Sequence, residues 1–175
     1  MINFNGNIID NEEILTFKNR GYNYGDSLFE TIKILNGKLL FFEDHYFRLM
    51  ASMRILRMEI PMNFTMEFLE DEILKTLNSN NLLNESARVK LNIHRNEGGL
   101  YLPDTNYISY IISCQELKED IYNLKDETYE VDLFKDYYIA PGLLSTLKTN
   151  NKVLNVIASI YASENNLQNC LLLNT

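Results

Sequence analysis

The sequence predicts an α+β fold, and three observations carry that prediction. Asn36-Gly37 lies between two β-prone runs in "IKILNGKLLFF", Ile32 to Phe42. Two segments after it repeat apolar residues at helical spacing. Two later runs, "ARVKLNIH" and "YISYIISC", read as strands. At 175 residues the chain has room for one ordinary domain, or for one domain and part of another.

The elements follow in order. Asn-Gly suits a type I′ hairpin turn, in which both central residues need positive φ. "EDHYFRLMASMRIL" (Glu43 to Leu56) is predicted helical, with Asp44 as its cap and Tyr46, Leu49, Met50, Met53 and Leu56 on one stripe. Pro61 breaks the chain. Thr65 opens a second helix through about Asn78, its apolar side made of Phe68, Leu69, Ile73 and Leu77. Ala87 to His94 alternates Val89, Leu91 and Ile93 against polar neighbours, the mark of a half-buried strand. "RNEGGLYLPDTN" is a loop, and Tyr107 to Cys114 is a more continuously apolar strand.

The texture then changes. "QELKEDIYNLKDETYE" is charged and has no clean period, so residues 116–128 are expected to link an N-terminal α+β domain (1–115) to a second unit (129–175). In that unit "YEVDLF" and "YYIA" read as short strands. Asn150 to about Asn166 reads as a helix, with Val153, Leu154, Ile157, Ile160 and Tyr161 facing inward. "NCLLLNT" reads as a final strand. One helix and a few short strands do not close a domain, so the second unit is expected to be incomplete.

Composition narrows the function. The chain is 46% hydrophobic and 23% charged, with 11 Tyr and 9 Phe to fill a core. A net charge of -8 argues against a nucleic-acid partner, because phosphate backbones attract Lys and Arg. No apolar segment approaches a membrane span. Cys114 and Cys170 sit in apolar runs and are expected to be buried free thiols, which fits a reducing cytoplasm. No zinc spacing, P-loop or Ser-His-Asp order is present.

Three places carry possible chemistry. "NRGYNYGDSLFET" (Asn19 to Thr31) reads on its own as a surface turn, with Gly21 and Gly25 in unusual conformations. His45, Arg48 and Ser52 share a helix face distinct from the apolar stripe. From spacing alone that is a solvated face; the alternative is an anion site, with Arg48 gripping a phosphate. Lys148 stands in "LLSTLKTNN", after the Ala140-Pro141-Gly142 turn and before a helix, and Lys152 follows it by one turn. A lysine there is ordinarily a solvated charge.

Four stretches, in this order, resemble the class IV aminotransferases, the fold-type IV pyridoxal-phosphate enzymes. They are "NRGYNYGDSLFETIKILNGKL", "HYFRLMASMRIL", "ARVKLNIHRNEGG" and "LSTLKTNNKVLNVIA". The resemblance implies that family's N-terminal two-layer domain followed by an incomplete second one. It implies pyridoxal 5'-phosphate as cofactor and a homodimer. Lys148 resembles the Schiff-base lysine that also moves the proton at the substrate Cα, which leaves Lys152 as a helix-surface charge. Arg48 resembles the residue that holds the cofactor phosphate. Tyr24, Phe29, Glu30 and Thr31 resemble residues lining the substrate side, and Arg95 resembles a substrate-carboxylate contact.

The implied activity is amino-group transfer between an amino acid and a 2-oxo acid. The alternative is a 4-amino-4-deoxychorismate lyase, which gives p-aminobenzoate and pyruvate. A non-catalytic module of the same family is the third reading. "FET" replaces the "FEG" usual in branched-chain aminotransferases, so Thr31 leans the expectation toward the D-amino acid or lyase branch. The family's acidic partner for the pyridine nitrogen and the rest of its phosphate cup lie beyond a strand like "NCLLLNT".

Overall fold

The computed structural model describes residues 1–10, 14–119 and 128–174. They form two compact units, one holding the chain up to residue 119 together with Lys148–Asn150, the other holding the remainder. Residues 120–127 of the expected linker lie outside the described residues.

The first unit is a six-stranded sheet with two long helices against it. Its strands are β1 (Ile2–Phe4), β2 (Asn7–Ile9), β3 (Ser27–Leu35), β4 (Lys38–Leu39), β5 (Ala87–Arg95) and β6 (Ile108–Glu116). They lie in the order β2-β1-β6-β5-β3-β4, and all the pairings are antiparallel. The helices are α1 (Arg20–Tyr24), α2 (Phe42–Ile55) and α3 (Met66–Ser79).

The predicted hairpin forms, with Asn36 at φ 49° and Gly37 at φ 72°. A Cβ on Gly37 would also lie 3.1 Å from the Leu83 carbonyl oxygen. Gly37→Ala should therefore cost about 1–2 kcal/mol, read as a lower thermal midpoint. The return strand is shorter than the sequence suggested, because the chain turns into α2 at Phe42. Asp44 does not cap that helix. Phe41 holds the N-cap position at φ 54° without a side-chain bond, and Asp44 sits in the first turn, where its charge suits the helix dipole. Thr65 does cap α3, its hydroxyl accepting from the Phe68 N–H.

Alternation along β3 sorts its side chains. Leu28, Glu30, Ile32 and Ile34 are buried, while Phe29, Thr31 and Lys33 are half-buried on the other face. The buried face continues through Val89, Leu91 and Ile93 of β5 and Ile112 of β6. It meets Leu49, Met50 and Met53 of α2 and Leu69, Ile73 and Leu77 of α3. Each such Leu or Ile contributes about 1.5–3 kcal/mol relative to exposure.

The second unit is smaller. β7 (Val131–Ile139) pairs in parallel with β8 (Asn169–Asn174), and α4 (Val153–Glu164) connects them. The two short strands expected at 129–140 are one strand with an irregularity between Phe134 and Ile139. The inward stripe expected for the helix is only partly right. Val153 is 65% exposed and Ile160 52%, with Ile157 also exposed, while Ala158 and Ala162 are buried. Small residues let the helix approach a two-stranded sheet, and Tyr161 packs edge-on against the fully buried Phe134. Both cysteines are half-buried rather than buried, and the Cys170 thiol donates to the Ala158 carbonyl. Among the described residues no helix is long and apolar enough to cross a membrane.

Candidate active site

The expected site residues fall into two clusters, both within the first unit. The first gathers on the leading half of β3. Phe29 donates its backbone N–H to the Lys148 carbonyl at 2.9 Å, and the Asn150 N–H donates to the Ser27 carbonyl. Leu28 and Thr149 form a β-bridge. Lys148–Asn150 thus runs along the free edge of β3, although 120 positions separate Leu28 from Lys148. The half-buried Lys148 carries its ammonium 4.8 Å from the centre of the Phe29 ring. The Lys90 ammonium stands 5.1 Å from the same ring. An aromatic face attracts a cation without neutralising it, so these amines are held by a group that takes no proton from them. Thr31 lies on the same face of β3, directly opposite Lys90 in register.

Glu30, the next residue in the strand, points the other way, as alternation requires. It is 1% exposed. The Arg48 Nε donates to Oε1 at 2.7 Å and Nη2 donates to Oε2 at 2.5 Å, a bidentate fork. His45 Nδ1 lies 2.7 Å from Oε2. Burial pushes the Glu30 carboxyl up, but hydrogen bonds and charge from Arg48 and His45 outweigh it and hold it below the usual range. Stability from this group is therefore complete above the ordinary Glu value and is lost as pH falls through the depressed one. Arg48 is raised, first by its bond to Glu30. Its side chain remains 46% exposed. Ser52 takes no part in this cluster: it is buried and donates to the Arg48 carbonyl.

The second cluster centres on Asp26. Its Oδ2 accepts from Arg20 Nε and from Arg95 Nε, both at 2.9 Å. Arg20 also donates to the Gly98 and Leu100 carbonyls, and its guanidinium lies 4.8 Å from the Tyr24 ring centre. Arg95 is not an exposed loop residue. It ends β5, is 6% exposed, and spends its remaining donors on Asn106 and on the Leu56 and Arg57 carbonyls. Tyr24 stands 5.8 Å from the Tyr101 ring. This group fastens the loop between β5 and β6 to the turn before β3.

That turn is not the plain surface turn expected. It is the short helix α1, capped by Asn19, with Asn19 and Arg20 buried. Gly25 takes the left-handed conformation at φ 66°. Gly21 is helical instead, and a Cβ there would come within 2.8 Å of the Ser27 hydroxyl. Lys152 is the half-buried N-cap of α4, where a helix-surface charge was expected.

Sequence reasoning missed both carboxylate hubs. His45 and Arg48 had been placed together by their spacing, but nothing local tied them to Glu30. Asp26 and Arg95 are 69 positions apart. The burial of two arginines around an Asp of the "GDS" turn has no periodic signal.

Comparison with known proteins shows the family of the chain. The model of the family described as amino-transferase class IV matches residues 27–175, and the chain belongs to that family. A D-alanine aminotransferase of Staphylococcus haemolyticus is 29% identical over 106 residues, which is 60% of this chain and 32% of that protein. A putative branched-chain-amino-acid aminotransferase of Methanocaldococcus jannaschii is 33% identical over 102 residues, 58% of this chain and 34% of that protein. The matched segment thus spans about a third of the length of these curated relatives.

Solved structures show the same fold. The branched-chain aminotransferase of Escherichia coli superposes with a TM-score of 0.81 at 21% identity, covering 99% of this chain and 59% of that one. A T.th. branched-chain aminotransferase, solved with pyridoxamine 5'-phosphate, gives 0.82 at 22% identity, covering 99% and 58%. The 4-amino-4-deoxychorismate lyase of Pseudomonas aeruginosa gives 0.74 at 25% identity, covering 100% and 62%.

Proposed function

We propose that this chain binds pyridoxal 5'-phosphate and takes part in amino-group transfer between an amino acid and a 2-oxo acid. One observation carries the reading: an amine, Lys148, and a half-exposed guanidinium, Arg48, are anchored through successive residues of one strand, Phe29 and Glu30. The donor set fits the cofactor. An aldehyde needs an amine, and a phosphate needs a guanidinium with donors to spare. Bound pyridoxal phosphate would supply an aldehyde and an electron sink. Arg48 would hold the phosphate through its outer edge, while Glu30 keeps the inner edge occupied. The Lys148 amine would attach the aldehyde and afterwards take and return the proton at the substrate Cα. The Phe29 ring steadies that amine, and Thr31, on the same face of the strand, narrows the space for a substrate side chain. In this reading Tyr24 and Arg95 act on the substrate only through the loop they help to hold.

The curated D-alanine aminotransferases favour a D-amino acid as donor. The lyase is the second reading, supported by the match to the Pseudomonas lyase over the whole chain and by Thr31 in place of glycine. A homodimer in the cytoplasm accompanies both readings.

The test is direct. The purified chain, titrated with pyridoxal phosphate, should develop the absorbance band characteristic of a lysine-bound cofactor. Borohydride should then fix the label on the peptide containing Lys148. Pyruvate formed from D-alanine and 2-oxoglutarate supports the aminotransferase; p-aminobenzoate formed from aminodeoxychorismate supports the lyase. No fixed label on any lysine overturns the reading for this chain.

A further inference from the structure

Glu30 occupies a position the strand reserves for the core. It lies opposite Leu91 in register, between the buried Leu28 and Ile32, and its carboxylate is 2% exposed. A carboxylate there is costly unless every oxygen is engaged. Three donors engage it: Arg48 Nε and Nη2, and His45 Nδ1. At 2.7 Å from a carboxylate oxygen, Nδ1 must carry the proton. The 3.1 Å between Arg48 Nη2 and His45 Nδ1 is then the approach of two donors to one acceptor, and not a bond between them. Two teeth of the guanidinium fork are thus fixed in a plane set by a group that cannot move. The Nη1 edge makes no hydrogen bond among the described residues, and the side chain is 46% exposed. Burial on one edge and availability on the other is what a preset anion receptor requires.

We propose that Glu30, braced by His45, is a positioning residue that presets the Arg48 guanidinium for the phosphate of the cofactor. This rests on the reading of Arg48 given above, and it replaces the expectation that Glu30 lines the substrate side. The physical consequence is entropic. An arginine has many rotamers to lose on binding; here that loss is taken during folding, not when the phosphate arrives. A Gln at position 30 removes the charge and sets an N–H among the donors of Arg48 and His45, which frees the side chain.

The experiment compares dissociation constants of the 175-residue chain for pyridoxal phosphate and for pyridoxal, followed by absorbance. Glu30→Gln should weaken pyridoxal phosphate about tenfold and leave pyridoxal unchanged. His45→Ala should shift the same ratio in the same direction by about threefold. It carries the test if Glu30→Gln does not fold, since the His45 side chain is 18% exposed and touches the rim of the cluster. Arg48→Gln tests the underlying reading. If it abolishes the preference for the phosphate form while Glu30→Gln and His45→Ala keep that preference, the positioning role is overturned and the reading stands. If the two Glu30 and His45 variants weaken both ligands equally, their role is only structural, and the proposal fails. If Arg48→Gln leaves the preference untouched, the reading and the proposal fall together.

Discussion

Lys148→Ala should abolish both the absorbance band and the borohydride-fixed label, and should lower any transfer rate by about a thousandfold or more. Stability should barely change. The alanine keeps the backbone carbonyl that accepts from Phe29, so the edge pairing of Lys148–Asn150 with β3 survives. What is lost besides the amine is one cation over an aromatic face, worth about 0.5–1 kcal/mol at a partly exposed site. A thermal melt within a few degrees of the unsubstituted chain, together with complete loss of label, locates the effect in the chemistry. Lys90 makes the experiment demanding, because its ammonium shares the Phe29 ring. Label that persists in Lys148→Ala and maps to Lys90 would overturn the assignment, as would label on Lys152. Lys90→Ala is the matched control: it should keep the label on Lys148.

The parts of this fold that could be read from the sequence are those set by neighbours along the chain. Asn36-Gly37 announces a turn because positive φ is a property of the residues themselves. Alternation in β5 and the period of α3 report a buried face for the same local reason. The equivalent signal at Asn5-Gly6, with φ 49° and 85°, escaped because its flanking strands are only three residues each. Periodicity also says which stripe of a helix is apolar without saying how much partner it has. In α4 the apolar stripe was expected to face inward, yet among the described residues only two strands receive the helix, so Ala158 and Ala162 bury and Val153, Ile157 and Ile160 do not. The candidate site shows the same limit. Arg48 and His45 were visible as a pair at i, i+3, but the carboxylate they share lies in another element, 15 and 18 positions earlier. Arg95 was read from the loop it precedes, whereas its surroundings are decided by Asp26, Asn106 and the end of α2. Long-range pairing of buried charge leaves no period in a sequence, and its residue types are those of an ordinary surface.

Asp26→Ala should produce the largest loss of stability of any single substitution considered, about 3–5 kcal/mol. Among the described residues Asp26 is the one carboxylate bonded to two buried guanidiniums, with side-chain exposures of 4% for Arg20 and 7% for Arg95. Removing it leaves two cations out of water with only neutral acceptors, and like charges held close across the gap. Asp26→Asn keeps an acceptor at the same place and removes the charge, so it should fall between the two. Urea denaturation of the three chains would rank them, and an order in which Asn equals Ala would mean that charge, and not the hydrogen bond, dominates. Replacing a buried ion cluster wholesale by apolar residues is often neutral. That should fail here. The Gly98, Leu100 and Leu56 carbonyls take their donors from these arginines, so Met at positions 20 and 95 with Leu at 26 would leave them unpaired. The loop between β5 and β6 would loosen first, and limited proteolysis should cut it near Leu100, Tyr101 and Leu102, which are already 78–90% exposed. A cluster that cannot be made apolar without freeing that loop is there to hold the loop, and the ion pairs are the means by which its backbone is fixed.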